Sequence, residues 1–206
     1  MTKPMINADE ALVRLKEGNK RFVAGETDSE ELRHSSRRAE LVNKQEPIAI
    51  ILGCSDSRVP AELVFDQSVG DLFVIRVAGN IVAPSQVASV EFCAEKFKTQ
   101  LVVVLGHTNC GAVSATISEL GIPAEERSEN LHAIVSRIRP SVETLLETDL
   151  VNRPEELLTA AVRSNVRSCV SHLQHGSRIL EQLTNSNGLR IVGAEYSLET
   201  GNVEFF

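Results

Sequence analysis

Apolar residues recur along this chain with two different periods. In "INADEALVRLKEGNKRFVAG", Leu12, Leu15 and Phe22 fall at helical spacing, and Asn7 or Asp9 can cap the start, which predicts a helix. "TDSEELRHSSRRAELVNKQEP" is polar and reads as a loop with a short helix inside it. "IAIILGC" is rich in β-branched residues and apolar on both faces, the pattern of a buried parallel strand. "DLFVIRVAGN" and "QLVVVLGH" read as two more buried strands, the first ending in a Gly-Asn loop. Between them "AELVFDQ" predicts a short helix, and "PSQVASVEFCAEKFK" a longer one opened by proline. "NCGAVSATISELG" starts a helix at once and stops at Gly121. Helical patterns then run from Ser128 to about Leu146 and from Pro154 to about Leu183. "LRIVGAEYSLETGNVEFF" predicts a strand, a turn at Thr200, Gly201 and Asn202, and a short returning strand.

Strands alternating with helices indicate parallel βαβ units. The expected architecture is α/β: a single domain over residues 1–206, with a mostly parallel central β-sheet flanked by helices. Residues 1–44 form an N-terminal helical arm, residues 45–206 the α/β core, and a C-terminal hairpin closes the chain. The first helix is expected to sit apart from the sheet.

Composition narrows the function. The 206 residues carry a formal net charge of -7, which argues against a nucleic-acid partner. The densest basic cluster, "HSSRR" at Arg37 and Arg38, reads as a solvated loop. No apolar run approaches the roughly 18 residues of a membrane span. The amino-terminal stretch lacks an apolar signal region, so a cytoplasmic location with reduced thiols is expected. Cys54, Cys93, Cys110 and Cys169 are therefore candidate metal ligands, nucleophiles or core thiols rather than disulfides.

Ligands in open α/β sheets bind beyond the carboxyl ends of the strands. Three strands end in informative residues, at 54–58, 76–80 and 107–110. Cys54, Asp56, His107 and Cys110 together offer two thiolates, a carboxylate and an imidazole, a four-ligand set suited to zinc. Cys110 also lies where a helix begins, and that end favours a thiolate. Cys93 and Cys169 sit in helical patterns without ligand-like neighbours and read as core thiols. His132, His172 and His175 lie in helical stretches and name no site. Ser55 and Ser57 read as hydroxyls that bond the turn's backbone.

"CSDSR" at residues 54–58, followed by "GHTNCGA" at residues 106–112, resembles the paired signature of the β-class carbonic anhydrases. "GDLFVIRVAGN" and "LKEGNKRF" are similar to that family too, and the resemblance runs from about Ala11 to the final hairpin. It implies a zinc enzyme that interconverts carbon dioxide and bicarbonate by attack of zinc-bound hydroxide. It also implies a dimer as the building unit, often paired into a tetramer, with the active site at the subunit interface. Under the resemblance Cys54, His107 and Cys110 are the zinc ligands and water takes the fourth position, which Asp56 occupies instead in a closed form. In the open form Asp56 pairs with Arg58 and accepts a hydrogen bond from the nucleophile, while Gly111 offers a backbone N–H to substrate. Gln45 and Phe73 match two residues of the substrate cleft in plant members, and Phe92 stands where those have tyrosine. Another branch holds a regulatory bicarbonate with a Trp–Arg–Tyr set. Arg76 matches its arginine and Tyr196 its tyrosine, but Ile51 replaces the tryptophan, so the set is incomplete.

Three alternatives stand beside this reading. One is a carbonyl sulfide or carbon disulfide hydrolase on the same fold. Another is a non-catalytic, zinc-stabilised regulatory domain, against which the Asp56–Arg58 pair argues. A thiol redox protein ranks last, because no C-x-x-C occurs.

Overall fold

The computed structural model describes residues 6–27, 39–120 and 128–206. The Arg37 and Arg38 cluster and the expected helix end at Gly121 lie outside the described residues. Helix α1 (Ala8–Ala24) begins with a capping box: Asn7 accepts from the Glu10 amide and Glu10 accepts from the Asn7 amide. Strand β1 (Ala49–Gly53) is followed by the single turn α2 (Ala61–Val64) and strand β2 (Leu72–Arg76). Helix α3 (Pro84–Phe97), strand β3 (Leu101–His107) and helix α4 (Gly111–Glu119) come next. Helices α5 (Glu129–Ile138), α6 (Pro140–Leu146), α7 (Pro154–His175) and α8 (Arg178–Ser186) precede β4 (Arg190–Tyr196) and β5 (Val203–Phe205).

The five strands form one sheet in the order β2-β1-β3-β4-β5. β1, β2, β3 and β4 pair in parallel, and β5 returns antiparallel on β4 as the expected hairpin. Alternation along the strands splits the core. Ala49, Ile51, Leu101, Val103 and Leu105 face a cluster with α1 and α2, whereas Ile50, Leu52, Val102 and Val104 face α3, α7 and α8. A third cluster gathers Cys54, Ile81, Cys110, Val113, Ile138 and Val162 at the carboxyl ends of the strands.

Three expectations change. The first helix does not stand apart: Leu12 and Leu15 are buried against Ile51 and Val103. Asn19 Nδ2 donates to the carbonyls of Val64 at 3.0 Å and Gly201 at 2.9 Å, and its Oδ1 accepts from Val203 N at 2.8 Å. The helix reaches this depth because Gly18 has no side chain; a Cβ there would lie 1.8 Å from the Phe65 carbonyl oxygen. Gly18→Ala is therefore expected to destabilise the fold by about 1–3 kcal/mol, read as a lower urea midpoint. An unchanged midpoint would show that α1 is only loosely held.

β2, which reads as fully buried, lies at the sheet edge, and three of its five residues are only partly buried. Each long helical pattern is broken. Pro140 opens α6 directly after α5, since it has no N–H to continue the earlier ladder. α7 stops at Gly176, and Ser177 caps α8 by accepting from the Leu180 amide. Among the described residues, no helix is long and apolar enough to cross a membrane.

Candidate metal centre

β1 and β3 are neighbours in the sheet, so their carboxyl ends deliver two groups of residues to one place. Beyond β1 the chain presents Cys54, Asp56 and Arg58; β3 ends on His107, and Cys110 sits at the N-cap of α4. The ligand atoms of Cys54, His107 and Cys110 all lie within 4.8 Å of one another, and all three residues are buried.

The donors fit a divalent cation. His107 Nδ1 faces the Thr108 carbonyl oxygen at 2.9 Å; because that oxygen can only accept, Nδ1 carries the proton and Nε2 keeps its lone pair. Nε2 is buried without a hydrogen-bond partner, a costly state for an imidazole nitrogen unless it serves as a ligand. The sulfurs point the same way. Hydrogen bonding from the Cys110 thiol, against the cost of burial and with help from the Gly79 amide, holds the Cys54 thiol well below its ordinary range. Cys110 is pushed up in turn by the neighbouring Cys54 thiolate and by burial. Two sulfurs so close share one proton between them, and a soft cation is what lets both ionise. The Gly79 N–H reaches Cys54 Sγ at 3.3 Å from a left-handed residue with φ 69°. A Cβ there would lie 2.6 Å from Ile138, so the close approach depends on glycine.

Asp56 departs from the four-ligand expectation. Its Oδ1 accepts from Arg58 N at 3.0 Å and Nε at 2.9 Å, and its Oδ2 from Nη2 at 2.7 Å. A guanidinium that grips both oxygens turns the carboxylate out of the donor group, leaving Oδ2 at 3.8 Å from His107 Nε2. The Arg58 side chain holds the Asp56 pKa well below the usual carboxylate range. Three protein donors leave a tetrahedral ion one position for a non-protein ligand, which is how catalytic rather than structural sites are built.

The remaining candidates divide. Gly111 opens α4 beside the donors, with nothing within 4 Å of where its Cβ would be. Phe73 pairs in register with Ile50, three residues before the end of β1, which is roughly 10 Å from the donors along the strand. It packs on Phe92 and Phe97 at ring distances of 6.3 and 6.4 Å. Phe92 is 53% exposed, and Gln45 is exposed as well. Gln45, Phe73 and Phe92 thus stay outside the centre of their own chain. Ile51, which stands in place of the tryptophan, is buried in β1, and Tyr196 lies on β4 with β3 and β1 between it and the Arg76 strand. Burial raises Cys93 to about 11 and Cys169 to about 12, as for inert core thiols. His132 lies in α5, and His172 and His175 lie in α7. A surface groove of about 780 Å³, lined by Val87, Arg137, Pro140 and His172 among others, includes none of the metal donors.

Sequence reasoning missed two supports of the centre. Arg76 donates to the carbonyl oxygens of Cys54 and Asp56. Asn165, buried on α7, donates to the Gly79 carbonyl at 2.8 Å. The apolar run "DLFVIR" ending in arginine was a visible signal for the first; Asn165 lies 86 residues from Gly79 and carried none.

A mostly parallel sheet whose adjacent strand ends assemble buried Cys, His and Cys side chains beside an Arg-held carboxylate defines an α/β protein with a candidate metal centre. The carbonic anhydrase family model matches residues 49–203. The chain is 39% identical over 205 residues to a carbonic anhydrase of Mycolicibacterium smegmatis, covering 98% of this chain and 94% of that protein. It is 36% identical over 200 residues to carbonic anhydrase 2 of Mycobacterium tuberculosis, covering 96% and 92%. The solved β-carbonic anhydrase CcaA superposes with a TM-score of 0.78 at 25% identity, over 95% of this chain and 94% of that one. Tetrameric β-carbonic anhydrases of Sordaria macrospora share the fold, with a TM-score of 0.71 at 22% identity and coverage of 82% and 85%. This chain belongs to the carbonic anhydrase family, in its β class.

Proposed function

We propose that this protein catalyses the reversible hydration of carbon dioxide to bicarbonate and a proton, with zinc held by Cys54, His107 and Cys110. The observation that carries the reading is the buried three-donor group with the Asp56–Arg58 pair beside it. Zinc supplies Lewis acidity there, bringing the ionisation of water into the neutral range. Asp56, kept anionic by Arg58, accepts the O–H of the attacking oxygen, so that a lone pair faces the substrate carbon. Arg58 prevents the carboxylate from becoming a fourth donor. The Gly111 N–H lies in the first turn of α4, whose amides have no intrahelical acceptor, and it is offered to a substrate oxygen. A structural zinc site would need a fourth protein donor and no such pair.

The tetrameric relatives named above support an oligomer for this chain. In an assembly with its centres at a subunit boundary, the exposed Gln45 and Phe92, with Phe73, reach substrate in a partner's centre rather than their own. The cytoplasm is the proposed compartment, where four free, buried cysteines stay reduced.

Stopped-flow carbon dioxide hydration by zinc-assayed protein, from about pH 6.5 to about pH 9, tests the reading through the ionisation it requires. Turnover that rises with pH and exceeds that on carbonyl sulfide is expected. Near-zero hydration in the alkaline range with zinc fully bound would overturn it, and faster turnover of carbonyl sulfide would reassign the substrate.

A further inference from the structure

We infer that Arg76 is a positioning residue that holds the metal-donor loop in register with the Asp56–Arg58 pair; the inference rests on the carbonic anhydrase reading above. β1 ends at Gly53, which is in register with Arg76 on β2. The last backbone bond between these strands runs from Val77 N to Gly53 O at 3.1 Å. Past that point the chain leaves the sheet, and its carbonyl groups lose their ladder donors. The Arg76 side chain replaces them. Its Nε donates to Cys54 O at 3.1 Å, and its Nη2 donates to Asp56 O at 2.6 Å.

Nε and Nη2 lie on one edge of a planar guanidinium, so the two acceptors are held at a fixed separation; an ammonium group cannot do this. Those acceptors flank the segment that matters. Cys54 carries a metal donor and Asp56 carries the carboxylate that handles the nucleophile. Arg58 cannot supply this restraint alone. It is bonded within the same loop, two residues from Asp56, and its side chain is 56% exposed. The pair is therefore free to move with the loop as a unit. Arg76 ties the loop backbone to a neighbouring strand, so Arg58 aims the carboxylate and Arg76 fixes where its backbone stands. This is a different task from the bicarbonate-holding role of the matching arginine, whose tryptophan companion is replaced here by Ile51.

The test compares R76K, R76Q and R76A with wild type. It reads zinc release to a chromogenic chelator, the cobalt(II) absorption spectrum, kcat and KM for carbon dioxide, and the melting temperature. Residues that orient metal ligands change metal affinity or activity by about 10–100-fold when removed. Zinc release from R76Q should be faster by about tenfold or more, and the cobalt spectrum should shift. kcat should fall by a similar factor with KM within about twofold, because the loop orients the nucleophile rather than binding substrate. Millimolar methylguanidinium should slow zinc release and raise kcat in R76A but leave wild type unchanged. If R76A fails to fold, R76K, which keeps the charge and loses the fork, must still show fast release. Release and kcat within about twofold of wild type in R76Q would overturn the inference, and so would losses that track melting temperature without rescue. An inert wild type whose zinc release still accelerates in R76Q would sink the carbon dioxide reading while supporting the Arg76 restraint.

Discussion

Cys110→Ala is expected to lose its zinc and, with it, carbon dioxide hydration. The variant leaves one thiolate and one imidazole, too few protein donors for a stable zinc centre. Losing a metal that supplies several kcal/mol of charge stabilisation costs roughly a thousandfold or more in rate. The fold itself should survive. Cys110 makes no side-chain capping bond at the start of α4, and alanine removes only a sulfur from the cluster around Val113 and Ile138. Cys93→Ala provides the contrast: its thiol, on α3, is fully buried against Thr99 in a core cluster separate from the one that holds Cys54 and Cys110. That variant should unfold at a lower denaturant concentration but keep zinc and kcat. Metal analysis with an unfolding curve for each variant separates the two. A zinc-loaded, active Cys110→Ala protein would show that the donor set has been misassigned.

Asp56→Asn is expected to keep zinc and lose about a hundredfold in kcat, the scale of a lost proton-handling group. The amide has nearly the same shape, yet one of its termini now donates where both carboxylate oxygens accept from Arg58. The pH dependence sharpens the test. Arg58 depresses the Asp56 pKa, so the carboxylate stays ionised down through the usual carboxylate range, and a bound cation deepens that depression. The pair's contribution is fully present above the usual carboxylate pKa and is lost only in stronger acid. From about pH 5 to about pH 9 the wild-type and Asp56→Asn profiles should therefore run parallel, separated by one constant factor. Profiles that converge towards acid would mean that Asp56 titrates in that window. Full activity in the variant would remove the carboxylate from the mechanism.

Both variants rest on residues that stand close together in the chain, which is why they could be found there. "IAIILGC" and "QLVVVLGH" announce buried strands through their own side chains, and the polar residues that follow them are out of place unless they perform chemistry. The spacing of Cys54 with Asp56 and of His107 with Cys110 is local, and local geometry follows from secondary structure. The N-terminal cap at Asn7, the Pro84 helix start and the C-terminal hairpin were legible for the same reason.

What stayed hidden depends on contacts between distant segments. "DLFVIR" is as apolar as its neighbours, and hydrophobicity records what a strand can bury rather than who stands beside it; only the sheet order puts β2 at the edge. The docking of α1 turns on a glycine meeting a carbonyl 47 residues away, and the number of metal donors turns on which way Asp56 faces. Both are settled by hydrogen bonds and steric room that exist only once the chain has closed. Residue type and spacing thus determined the strand–helix alternation and put forward Cys54, Asp56, His107 and Cys110 as four candidate donors, while the reduction to three and the Asp56–Arg58 pair were implied by the family resemblance. Tertiary structure decided that Asp56 stands beside the donors rather than among them, that Arg76 anchors their loop, and that Gln45, Phe73 and Phe92 lie away from the centre of their own chain.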